Sequence, residues 1–178
     1  MDAFEQVVAE LFWSKGFWVR TSVKVNLTKA EKVIAGRPSM PRPEIDLVAY
    51  CGADNRLLAI ECKSYLDSRG VTHAEACGSS DSKTYKLFRE PVLRDVVLKR
   101  LVLQMVEERL CPPGATVQLG MVAGRVAGED EPMLIDLFEQ EGWLFRGPAW
   151  LKAELTKLSG GSYENQVAAV VSKLLLRR

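Results

Sequence analysis

With 178 residues and 47% hydrophobic content, the chain is long enough to bury one sizeable core and short for two, so the sequence predicts a single domain. The net charge is +1, and the balance is even along the chain. Counting 1–65, 66–110 and 111–178 gives 9 basic residues against 8 acidic, 8 against 7, and 7 against 8. No basic tail or basic segment advertises a polyanion. The start, "MDAFEQ", is acidic and lacks an apolar core, and no stretch approaches the roughly 20 apolar residues of a membrane span, so a cytoplasmic protein without membrane contact is expected. Cys51, Cys62, Cys77 and Cys111 form no CxxC pair and have only His73 for company, which speaks against a zinc site and against a disulfide framework.

Phe4, Val7, Val8, Leu11 and Phe12 follow helical spacing, and Gly16 is placed to stop the helix, which predicts a first helix over about 2–15. "FWVRTSVKVN" at 17–26 alternates with period two and predicts a strand. "TKAEKVIAGRPSMPRP", with Pro38, Pro41 and Pro43, reads as a long loop. "EIDLVAY" and "RLLAIECKSY", joined by "CGADN", predict an antiparallel hairpin. A polar Ser/Gly-rich stretch follows, then a mostly buried helix over about 87–110 and a strand over 116–126. "EPMLIDLFEQEG" predicts a helix stopped by Gly142, "WLFR" a short strand, and 148–158 and 163–176 two amphipathic helices. The order is helix, three strands, helix, strand and helical additions, the pattern of an α/β sandwich around a mixed sheet.

One segment stands out for its chemistry. In "IECKSY", Glu61 and Lys63 share one face of a strand while Ile60 and Cys62 share the other. In the preceding strand Asp46 has the parity of Val48 and Tyr50, and the hairpin brings it beside Glu61. Two carboxylates held close repel unless a cation neutralises them, and a hard oxygen pair suits Mg²⁺, which retains several waters. The structural alternative is an ordinary ion pair of Glu61 with Lys63 at a sheet edge. On the first helix, Glu5 flanks the apolar stripe and faces the sheet margin, whereas Glu10 falls far from the stripe and is expected in solvent.

These elements together resemble the PD-(D/E)XK nuclease superfamily, the restriction-endonuclease-like phosphodiesterases. The likeness runs from "FEQVVAELFWSKGFWVR" through "PEIDLVAY" to "IECKSY" and covers about residues 2–126, leaving 127–178 as a C-terminal α/β extension. It is nearest in look to the branch of Holliday-junction resolvases and type IV restriction enzymes. The resemblance implies a restriction-endonuclease-like fold and metal-dependent hydrolysis of DNA, in restriction, recombination or repair. Carried over by residue, it makes Asp46 and Glu61 the metal-binding acids, Lys63 the motif lysine and Glu5 the helix acid. It also adds the backbone carbonyl of Cys62 to the ligands of Mg²⁺, for which Mn²⁺ is expected to substitute. One departure is that the element reads Pro43-Glu44-Ile45-Asp46, so proline does not adjoin the aspartate; Glu44 is the reserve acid.

Lys24, Lys29, Lys32, Arg37 and Arg42 cluster around the proline-rich loop, and Lys83 and Lys86 follow the motif; all seven are candidates for phosphate contact. Ser64, Tyr65 and Tyr85 are placed to touch a nucleic-acid backbone, and His73 reads as incidental. Trp13, Trp18, Trp143 and Trp150 are expected to pack the core or its edges. Cutting both strands of a duplex is most simply done by two-fold-related sites, which makes a homodimer the expected assembly. The competing function is a non-catalytic nucleic-acid-binding or assembly module that keeps such a fold.

Overall fold

The structure is a computed structural model that describes residues 2–80, 84–162 and 165–176. Its elements in chain order are α1 (Ala3–Ser14), β1 (Trp18–Lys24), α2 (Lys29–Ile34), β2 (Glu44–Cys51) and β3 (Arg56–Lys63). There follow α3 (His73–Cys77), α4 (Lys86–Arg89), α5 (Pro91–Glu107), β4 (Thr116–Ala123), α6 (Glu131–Gln140), β5 (Leu144–Arg146), α7 (Pro148–Gly160) and α8 (Val167–Leu176). The expected order of helix, three strands, helix, strand is present as α1, β1, β2, β3, α5 and β4, with short helices inserted between them. The strands form one open sheet in the order β1-β2-β3-β4-β5. Its first three strands are an antiparallel meander, and β4 and β5 run parallel to β3, so the sheet is mixed. Among the described residues no helix is long and apolar enough to cross a membrane.

The period-two pattern of β3 explains the layers. Leu57 and Ala59 pack with Leu93, Val97 and Leu101 of α5 and Phe138 of α6 on one face. Leu58, Ile60 and Cys62 pack with Val8, Leu11 and Phe12 of α1 and Leu151 of α7 on the other. Each large side chain so buried stabilises the fold by roughly 1.5–3 kcal/mol. The sheet is therefore held between two helical layers, and β3 lies at its centre, hydrogen-bonded on both sides.

Two expectations are corrected. The segment read as loop contains α2, because Thr28 and Glu31 form a reciprocal capping box that starts a helix before the prolines intervene. Glu10, expected in solvent, is only 7% exposed. Its Oε2 accepts the Ala168 N–H at 2.6 Å and its Oε1 accepts from Gln6 Nε2 at 3.0 Å, because α8 packs across that side of α1 and its first turn needs an acceptor. Trp13 and Trp18, expected at the core or its edges, are 54% and 71% exposed and meet each other edge to face, Trp18 standing on the edge strand β1. Trp143 and Trp150 do pack against the two cores as expected.

Candidate active site

The site is built at the C-terminal end of β3. Glu61 and Lys63 point together from the α5-facing side of the strand, as its alternation requires, and form an ion pair of 2.5 Å between Nζ and Oε1. Both side chains keep only 22–23% of their exposure. This pair stands on the central strand, not at a sheet edge, so the setting differs from the solvated edge pair considered from the sequence. Burial by itself lowers the Lys63 pKa, but the Glu61 carboxylate outweighs it and holds the amine above its ordinary range. Lys63 is thus firmly cationic at neutral pH.

Asp46 sits opposite Glu61, one position past the last β2–β3 pair, Leu47↔Ile60. The strands are irregular there. The flanking β1–β2 pairs are Thr21↔Leu47 and Val23↔Ile45, and Ser22 between them adopts φ 52°. Leu47 belongs to the α1-side core, yet Ile45 belongs to the α5-side core together with Val48, so β2 changes face at Asp46. Its carboxylate accepts the Cys62 amide N–H at 2.7 Å. Burial and the charge of Glu61 raise the Asp46 pKa from 3.8 to about 6, with the Cys62 N–H and Lys63 pulling the other way and Glu5 adding to the rise. Burial is the larger cause and the Glu61 charge the second, so ionised Asp46 is costly here unless a cation meets it.

That cost of holding Asp46 ionised beside Glu61 is the test of fit for a metal. Mg²⁺ is commonly held by one or two carboxylates with waters and substrate phosphates completing its shell, and Asp46 with Glu61 supplies such a hard-oxygen pair. Among the described residues no group of three or more His, Cys, Asp or Glu side chains could hold a metal ion. A metal here would rest on these two carboxylates, with water and substrate oxygens completing its shell.

Glu5 lies on α1, in the layer opposite Glu61, where its side chain accepts the Asp2 N–H at 3.2 Å and completes a capping box. Its charge reaches Asp46 and Cys62, but it does not line the cleft that holds Glu61 and Lys63. Burial, then the neighbouring acids, push the Cys62 thiol far upward, so it stays protonated.

The cleft has a volume of about 350 Å³. Glu61 and Lys63 line it, and so does Glu44, the reserve acid, whereas Asp46 is not part of the lining. Of the basic candidates, Arg37, Arg42 and Lys86 line it too. Arg37 is paired with both carboxylate oxygens of Glu90, at 2.7 and 2.8 Å. Lys32 donates to the Met40 carbonyl at 2.8 Å and so stitches the loop, while Lys24 and Lys29 are exposed away from the cleft. Lys83 lies outside the described residues.

Two tyrosines complete the surroundings. Tyr85 Oη donates to Tyr65 Oη at 3.2 Å, and Lys63 Nζ stands 5.9 Å from the Tyr85 ring centre. Both tyrosines have positive φ, 45° for Tyr65 and 55° for Tyr85, a conformation uncommon for side chains of this size. Burial, then the Tyr65 contact, pushes the Tyr85 hydroxyl well above the ordinary phenol range. The ring therefore stays neutral beneath the lysine. Met40, Pro41 and Leu87, which no local signal in the sequence connects to "IECKSY", also line the cleft because the 28–43 segment folds back over α4 and α5.

Comparison with protein-family models, with curated proteins and with solved structures gives no match to this chain.

Proposed function

We propose that the chain is a metal-dependent phosphodiesterase with the restriction-endonuclease-like fold, hydrolysing DNA at the end of β3. The observation that carries this reading is the convergence of charge: Asp46 opposite Glu61, its carboxyl raised to about 6 by burial and by that neighbour, with Lys63 paired to Glu61 on the central strand. A purely structural ion pair has no need of the second, repelled carboxylate. The order α1, β1, β2, β3, α5, β4 supports the same reading, since it matches the core of the PD-(D/E)XK nucleases that the motifs resemble.

Asp46, Glu61 and the Cys62 backbone carbonyl would hold Mg²⁺ or Mn²⁺. When bound, such an ion polarises the scissile phosphate, lowers the pKa of water and offsets charge developing in the transition state. The residues of the chain do the rest. The Cys62 N–H fixes the Asp46 carboxylate, so the oxygen not engaged there is oriented before substrate arrives. Lys63, held cationic, orients the attacking water and balances charge on the phosphate oxygens. Glu5 acts from the far layer through its charge, which keeps Asp46 demanding a cation.

The second reading, a non-catalytic binding module, draws on the same 2.5 Å pair, because a Glu61 satisfied by Lys63 is a stable resting arrangement. Incubating the protein with supercoiled, linear, branched and methylated DNA, with Mg²⁺ or Mn²⁺ and with EDTA, separates the two. Hydrolysis of at least one substrate that EDTA abolishes is the expected result. Retention of DNA in gel shifts with no cleavage under any metal favours the binding module.

A further inference from the structure

The cleft at Glu61 and Lys63 is poorly equipped to hold an intact duplex by its phosphates. Arg37 is committed to Glu90, Lys63 is paired with Glu61 and Lys32 donates to the Met40 carbonyl, which leaves Arg42 and Lys86, among the described residues, as further cations lining the cleft, with Glu44 set against them. Duplex binding draws most of its sequence-independent affinity from neutralising several phosphates at once. Few are neutralised here.

What the cleft does offer is apolar surface beside the reacting centre. Met40, Pro41 and Leu87 are among its lining residues, and the neutral Tyr85 ring lies next to Lys63. A base-paired strand keeps its base faces stacked and presents sugar, phosphate and polar base edges, which would be set against that apolar lining. A base turned out of its stack presents a flat, weakly hydrated face instead. The volume of about 350 Å³ is at the low end of small-ligand pockets, which run roughly 300–1,000 Å³, and it suits one nucleotide rather than a length of duplex.

We infer that the cleft takes a single unpaired nucleotide of a DNA strand, its base against Met40, Pro41 and Leu87 and its phosphate toward Lys63. The inference rests on the hydrolase reading for the placement of the phosphate; the base contact stands on the cleft alone. The preferred substrate is then DNA with an extruded, bulged or single-stranded nucleotide beside the bond that is cut.

The test varies the DNA and leaves the protein intact. Fluorescence anisotropy in EDTA, at low salt, compares a labelled perfect duplex, the same duplex with one bulged nucleotide, and the same bulge made abasic. Burial of a base face against these apolar side chains predicts that the bulge binds roughly tenfold tighter than either control. A 2-aminopurine placed at the bulge changes its emission on binding. Equal affinity for the bulged and abasic forms, or for the perfect duplex, overturns the inference. Because no cleavage is read, the two ideas fail separately: preference for the bulge without hydrolysis under any metal sinks the hydrolase reading alone, and metal-dependent cleavage without preference sinks this one alone.

Discussion

Replacing Asp46 with asparagine removes a charge while keeping an oxygen that can accept the Cys62 N–H, so it isolates the electrostatic conflict at the site. The Asp46 carboxyl titrates near 6 in the folded chain against 3.8 ordinarily. At 1.36 kcal/mol per pH unit that is ~3 kcal/mol, and partial access of solvent screens it to roughly 1–2 kcal/mol. The sign follows from proton linkage. Between these two pKa values the folded state binds more protons than the unfolded state, so the ionised Asp46 erodes stability as pH rises from 3.8 through about 6, and the loss is constant above that. Asp46→Asn is therefore expected to be more stable than the native chain by roughly 1–2 kcal/mol at pH 8 in the absence of divalent metal, with the difference largely gone by about pH 4. Urea denaturation at the two pH values measures it, as a midpoint shift on the order of 0.5–1 M at pH 8. Mn²⁺ should reverse the ranking. At a hundredfold excess over Kd it stabilises the native chain by about 2.7 kcal/mol and the variant much less. A variant that is less stable than the native chain at pH 8 without metal, or a difference that ignores pH, would refute the reasoning.

Lys63→Ala should reduce DNA cleavage by at least about a hundredfold, the usual scale for a lost proton-transfer or charge-balancing group, while calorimetric titration finds Mn²⁺ affinity undiminished. Glu10→Ala should cost on the order of 1–2 kcal/mol, because the Ala168 amide at the start of α8 loses its buried acceptor, and hydrogen exchange should quicken at 168–172 before it does elsewhere. Gly124→Ala is expected to destabilise by about 1–3 kcal/mol in thermal unfolding, since an added Cβ would lie 2.4 Å from the Ser64 carbonyl oxygen, against the segment that directly follows Lys63.

Much of the scaffold was legible because it rests on local rules. Gly16 adopts φ 84° and ends α1 where the apolar spacing stops, and the alternation of "RLLAIECKSY" correctly puts Glu61 and Lys63 on one face with Ile60 and Cys62 on the other. The same rule stopped short at Asp46. Parity assigns it the face of Val48, but the positive φ of Ser22 on the neighbouring strand accompanies a change of face that no residue pattern in β2 announces. Glu10 could not be placed from the wheel of α1, since what covers it is a helix 158 residues away in sequence. The helix inside the proline-rich segment was signalled, by threonine at 28 and glutamate at 31, and the prolines that follow outweighed it in the reading. The lining of the cleft by Met40, Pro41 and Leu87 depends on how that segment folds back, which is tertiary information.

The central claim is that the acids and lysine of β2 and β3 break phosphodiester bonds with a metal ion, and the most direct measurement pairs the native chain with Glu61→Gln, purified identically, in one plasmid-nicking series with Mg²⁺. Glutamine keeps the size of the side chain and removes the charge that Asp46 and Lys63 both sense. The account predicts conversion of supercoiled to nicked DNA by the native chain, abolished by EDTA and reduced by at least about a hundredfold in the variant at every time point. Equal nicking by the two proteins, or nicking that persists in EDTA, would contradict it.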